Sequence, residues 1–194
     1  MGWSRSAEAA ATAIEMMGDT KSEVKLAAAE AIERRKDHGA LDVLLQYRNY
    51  GKIEVKRAVM KAILAVSQPT DDARLLPVYS ESLYVFDEDV KLTAIAGLRN
   101  IRDPLAISNL SAVVLDPSDK VQEAAVRALG FKKDPNTMEA ISTSLHGAES
   151  KVVKNAALDA IIESGQDFNR QLNEFWNVEA DPELKSRAEQ IMKK

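Results

Sequence analysis

Cysteine is absent from this 194-residue chain, which excludes a disulfide framework and any thiolate site for a metal or redox group. Only two histidines occur, His38 and His146, too few for a histidine-rich metal centre. Eight glycines and six prolines are few for an all-β chain, which needs many tight turns. No run approaches the length of about 18 consecutive apolar residues that crosses a bilayer. The opening Met1-Gly2-Trp3-Ser4-Arg5 leads into no long apolar run of the secretory type. The expectation is therefore a cytoplasmic protein, or an exported one whose signal segment has been removed. Excess positive charge is missing too: 26 Lys and Arg against 30 Asp and Glu leave a net −4, which argues against a dedicated nucleic-acid binder. What is present, 45% hydrophobic and 29% charged residues, is the composition of a folded, soluble chain.

The strongest signal is internal repetition. Val24-Lys25, Val55-Lys56, Val90-Lys91, Val121-Gln122, Val153-Lys154 and Leu184-Lys185 recur at steps of 31, 35, 31, 32 and 31 residues. With the first residue of each pair as anchor, a small or β-branched residue stands four positions later: Ala28, Val59, Ala94, Ala125, Ala157 and Ala188. Seven positions later stand Ala31, Ala62, Gly97, Ala128, Ala160 and the exception Ile191. Eight positions later a large apolar residue follows each time: Ile32, Ile63, Leu98, Leu129, Ile161 and Met192. This spacing is one face of an α-helix. Small residues let helix axes approach to about 8–10 Å, and the same requirement in every repeat implies that each unit packs on a copy of itself.

A second, shorter helical pattern lies between the anchor helices, over 4–17, 39–49, 70–85, 103–115, 135–146 and 167–178. Asp-Pro steps at 103–104, 116–117, 134–135 and 181–182 read as helix starts, with Asp as cap and Pro in the first turn, and Ser118 and Ser150 are further cap candidates. The chain is thus expected to be all-α: about six helical hairpins over 4–38, 39–68, 69–102, 103–133, 134–166 and 167–194, in one repeat domain. The third is lengthened within 68–87.

The segments DKVQEAAVRALG at 119–130 and SEVKLAAAEAI at 22–32 resemble the HEAT repeat in its short bacterial and archaeal form. The resemblance implies a right-handed α-solenoid of armadillo-like type, with anchor helices on the concave side and shorter helices on the convex side. It also brings enzymes into view. Metal hydroxylases of this build use His-Glu pairs as iron ligands, but here the histidines stand in His38-Gly39 and His146-Gly147. Bilin lyases share the short unit, so a lyase-like factor acting on a tetrapyrrole or a protein side chain is the alternative function.

No nucleophile–base pair, phosphate loop or metal spacing stands out. The leading expectation is a monomeric, cofactor-free, non-enzymatic scaffold that binds a protein or peptide in its concave groove, with nucleic acid and membrane insertion disfavoured. Groove candidates come from positions two, five, six and nine after each anchor, which face away from the anchor column at about 100° per residue. They are the apolar strip Leu26, Met60, Leu92, Ile95, Val126 and Leu158, ringed by Arg57, Lys61, Arg99 and Arg127. The column five after the anchor could instead pack on the neighbouring helix. The lysines next to the anchors are expected to lay their stems on adjacent units and meet turn carboxylates such as Asp19, Asp116 or Glu179. Net charge is uneven: +4 over 21–67 and −5 over 68–119. Among the aromatics, core duty is the default for Tyr79, Tyr84, Phe86, Phe175 and Trp176, with a hot spot on the lengthened unit as the alternative. Trp3 is expected to be exposed.

Overall fold

The computed structural model describes residues 2–193, with the side chains of residues 2–7, Trp3 among them, outside the description. Among the described residues are twelve α-helices, three short 3-10 turns and no strand. The helices alternate in role. First helices are α1 (Gly2–Met16), α3 (Leu41–Tyr47), α5 (Asp72–Ser82), α7 (Pro104–Ser111), α9 (Met138–Gly147) and α11 (Asn169–Val178). Second helices are α2 (Ser22–Arg35), α4 (Ile53–Val66), α6 (Glu88–Asn100), α8 (Asp119–Lys132), α10 (Lys151–Ser164) and α12 (Pro182–Met192), each carrying one anchor.

Helix starts follow the local chemistry. Asp103, Ser118 and Asp181 accept backbone N–H groups of Leu105, Val121 and Glu183 at the mouths of α7, α8 and α12. Asp134 caps the turn Pro135–Thr137 that leads into α9. Two expectations fail. The Asp116-Pro117 step opens no helix: Asp116 accepts the Ser118 N–H inside the turn, and Ser118 takes over as cap. Ser150 makes no side-chain cap bond at α10. Asp87 is a cap the sequence reading passed over, and it accepts the Val90 N–H at the start of α6. Helices α2 and α8 end on Lys36 and Lys133, both left-handed with φ of 52° and 51°, a backbone conformation that glycine adopts at lower cost.

The aligned columns of the six repeats do what their spacing implies. Ala28, Val59, Ala94, Ala125, Ala157 and Ala188 are all buried, as are Ile32, Ile63, Leu98, Leu129 and Ile161. Successive second helices from α2 to α10 stack directly on one another, whereas successive first helices barely touch. A stack that is tighter along one layer curves toward that layer. The second helices therefore line the inner face and the first helices the outer one. Helices α8 and α10 approach closely: a Cβ added at Gly130 would fall 2.6 Å from the Ala160 Cα. One continuous run of buried side chains links the hairpins from Ala13 to Ala188.

Candidate functional site

The inner face is built from what the second helices leave uncovered. Met60, Ile95, Val126 and Leu158 are buried to within 2% of full enclosure, so these four are corrected from groove contacts to core. The reason is geometric. Each inner helix meets its own first helix and two inner neighbours, and position five lies roughly 60° off the middle of the outward arc, on the flank that receives the next helix. Leu26, Leu92 and Arg57 are half-buried, and Lys61, Arg99 and Arg127 are exposed.

The four cations divide into two kinds. Arg57 is a clamp between hairpins. Its guanidinium donates from Nε to both Asp87 oxygens, at 3.0 and 3.1 Å, and from Nη2 to Oδ2 at 2.6 Å. Asp89 stands at 3.5 Å. That pairing holds the Asp87 carboxyl below its usual range and raises Arg57. Arg127 is likewise engaged, at 3.1 Å to Glu123 and 3.0 Å to Asp159, and Asp159 also accepts from Arg187 on α12. Lys61 and Arg99 have no carboxylate partner among the described residues. Arg99 instead lies 3.9 Å over the ring centre of the exposed Phe131.

Four of the ring and strip residues, Leu92, Ile95, Arg99 and Arg127, converge on one feature. A depression of about 310 Å³ opens between α6 and α8, lined by Leu92, Ile95, Ala96, Arg99, Ala124 and Arg127, and closed by Glu163 of α10. Its cause is Ala96. The column six after the anchor otherwise holds the long side chains Glu30, Lys61, Arg127, Asp159 and Gln190, so a methyl group at this one place leaves a notch. Leu26, Arg57, Lys61 and Leu158 do not line it. Phe131 and Glu163 were missed by the sequence reading because they lie ten residues past their anchors, outside the columns compared.

The anchor lysines work within the stack. Lys91 meets Asp116 at 2.5 Å and Lys154 meets Glu179 at 2.6 Å, each reaching the turn of the next hairpin. Backbone N–H groups of Asp181 and Ala180, together with Lys154, keep the Glu179 carboxyl low. Lys25 departs from the expected pairing with Asp19: it donates to the Met17 carbonyl at 2.6 Å and sits 4.2 Å over the Tyr47 ring. Tyr79 is buried against Gly97, where any Cβ would strike its ring, and burial pushes its hydroxyl up to about 12. Phe175 is core, while Trp176 lies under Lys185 at 4.4 Å. Tyr84 and Phe86 are not core but exposed. Among the described residues no three His, Asp or Glu side chains gather as metal ligands would, and no helix is long and apolar enough to cross a membrane.

Comparison with known proteins bears on the fold. A profile of HEAT repeats matches residues 76–162. An engineered protein of known crystal structure is 19% identical with a TM-score of 0.63, covering 95% of each chain. A designed armadillo repeat protein is 16% identical with a TM-score of 0.62, covering 94% of this chain and 98% of that one. Human deoxyhypusine hydroxylase in complex with glycerol is 13% identical with a TM-score of 0.52, covering 95% and 83%. Likeness at these identities carries architecture alone. No curated protein matches the sequence. The recurring hairpin, its stacked inner helices and the repeat profile matched over residues 76–162 together give this chain an α-solenoid fold similar to that of HEAT and armadillo repeat proteins.

Proposed function

We propose that this chain is a non-enzymatic scaffold that holds a segment of a partner protein along its inner helices. The observation behind this reading is the notch at Ala96: the half-buried Leu92 above the core residue Ile95, beside Arg99, a guanidinium with no carboxylate of its own among the described residues. Such a site suits an aliphatic side chain next to a carboxylate on the partner. Lys61, one hairpin earlier on α4, extends the same charge preference. Arg57 and Arg127 serve the stack, so partner contacts rest on Lys61, Arg99 and Leu92 together with the half-buried Leu26. No observation favours the tetrapyrrole alternative.

The test uses charge reversal at the two cations without a carboxylate partner among the described residues, Lys61→Glu with Arg99→Glu. Photo-crosslinkers placed at Ala96 on the inner face and at Asn173 on the outer face then locate the bound partner. The reading expects a partner crosslinked from Ala96 and lost on charge reversal, with the melting temperature kept. A partner retained by the reversed variant and crosslinked only from Asn173 would refute it.

A further inference from the structure

We infer a second docking surface, on the turn edge of the α5–α6 hairpin, that takes a basic amphipathic segment through Tyr84 and Phe86; it stands independently of the inner-face reading. The turn between α5 and α6 alternates. Leu83 is buried and Val85 packs against the core, while Tyr84 is 72% exposed and Phe86 is fully exposed. Neither outward ring supports the hairpin, so their presence is not explained by folding. Six residues before the anchor, where Tyr84 stands, the first, second and fifth hairpins carry Gly18, Asn49 and Gly147. The fourth and sixth carry the aliphatic residues Leu115 and Val178, 55% and 77% exposed, so an aromatic ring occurs at this place in the third alone. The third and fourth turns are tied together: Glu88 accepts from Ser118 at 2.6 Å and Lys120 at 2.9 Å, and Lys91 bridges to Asp116. Tyr84 and Phe86 thus put two exposed rings on one turn, with the exposed Leu115 on the turn tied to it.

Charge selects the occupant. The stretch 68–119 carries net −5, and Glu81 and Asp119 beside these turns have no cationic partner among the described residues. An anionic membrane surface would be repelled, and a second copy would bring the same acidic turn. A segment with lysine or arginine beside aliphatic residues satisfies both features: its chains cover the rings, its cations meet the carboxylates, and cations can also stack on Tyr84 or Phe86.

The experiment measures binding of a labelled amphipathic leucine–lysine peptide to the full chain by fluorescence anisotropy, beside a leucine–glutamate counterpart. The proposal expects the lysine peptide to bind more tightly, with affinity falling as salt rises. Tyr84→Ser with Phe86→Ser should weaken it at least about tenfold. The double variant should keep the wild-type melting curve, since both rings are exposed, and Lys61→Glu with Arg99→Glu should leave the peptide bound. Four results would overturn the proposal: equal binding of the two peptides; unchanged binding to the serine variant; self-association in sedimentation that the serine variant abolishes; or capture by anionic lipid vesicles that depends on Tyr84 and Phe86.

Discussion

Substituting alanine for Gly130 strikes a close main-chain contact between α8 and α10. The new Cβ would stand 2.6 Å from the Ala160 Cα and 2.9 Å from its carbonyl oxygen, both main-chain atoms of a buried helix turn. No side chain can rotate out of the way, so α8 and α10 must separate. Overpacking of this kind costs about 1–3 kcal/mol, while replacing glycine by alanine inside a helix returns about 1 kcal/mol. A clash with main-chain atoms belongs at the upper end of that cost, so the net is a loss of up to about 2 kcal/mol, which for a chain of this size lowers the melting temperature by up to about 8 °C. The loss has a further signature. Stability in a stacked array is a sum of unit and neighbour-interface terms, so a weakened α8–α10 interface should broaden the urea transition as the hairpins on its two sides uncouple. Gly51→Ala is the control. Nothing lies within 4 Å of the added methyl, and its effect should stay within about 0.5 kcal/mol. A Gly130→Ala protein at least as stable as wild type, with an equally sharp transition, would refute the packing argument.

Three other outcomes are expected. Lys36→Gly and Lys133→Gly, at left-handed helix ends, should each stabilise by about 0.5–1 kcal/mol in urea unfolding. Lys91→Ala should cost about 1–3 kcal/mol, because the Asp116 carboxylate it leaves behind is only 8% exposed, whereas Lys61→Ala should be near neutral. Asp87 titrates below its ordinary 3.8 chiefly because Arg57 hydrogen-bonds it. Its stabilisation is therefore present above about pH 4 and lost as pH falls through the depressed value, since the unfolded chain binds the proton first. Melting curves of wild type and Arg57→Ala should accordingly differ at neutral pH and converge only once the pH has fallen below that depressed value.

The fold was legible because every hairpin repeats one set of contacts, so six weak helical patterns reinforce each other. The inner face was only half legible. Reading Met60, Ile95, Val126 and Leu158 as groove positions treated an inner helix as having one buried side, while the stack covers its flanks as well. Arg57 looked like a free cation because its partner Asp87 lies 30 residues on, though that distance is itself close to one repeat. The Arg99–Phe131 stack depends on how two neighbouring helices are offset along their axes, which periodicity does not encode. Tyr84 fell within the stretch 70–85 read as helical and Phe86 one residue past it, and helical spacing gives no sign that the chain has already entered a turn after Ser82.

Removal of the last hairpin tests the stack most directly. If each hairpin leans on its neighbours, a protein ending at residue 166 should keep helical circular dichroism and a cooperative urea transition, with a lower midpoint than the full chain. Complete loss of cooperative unfolding in that shortened protein would show a single nucleus shared by the whole molecule, and would contradict the solenoid account.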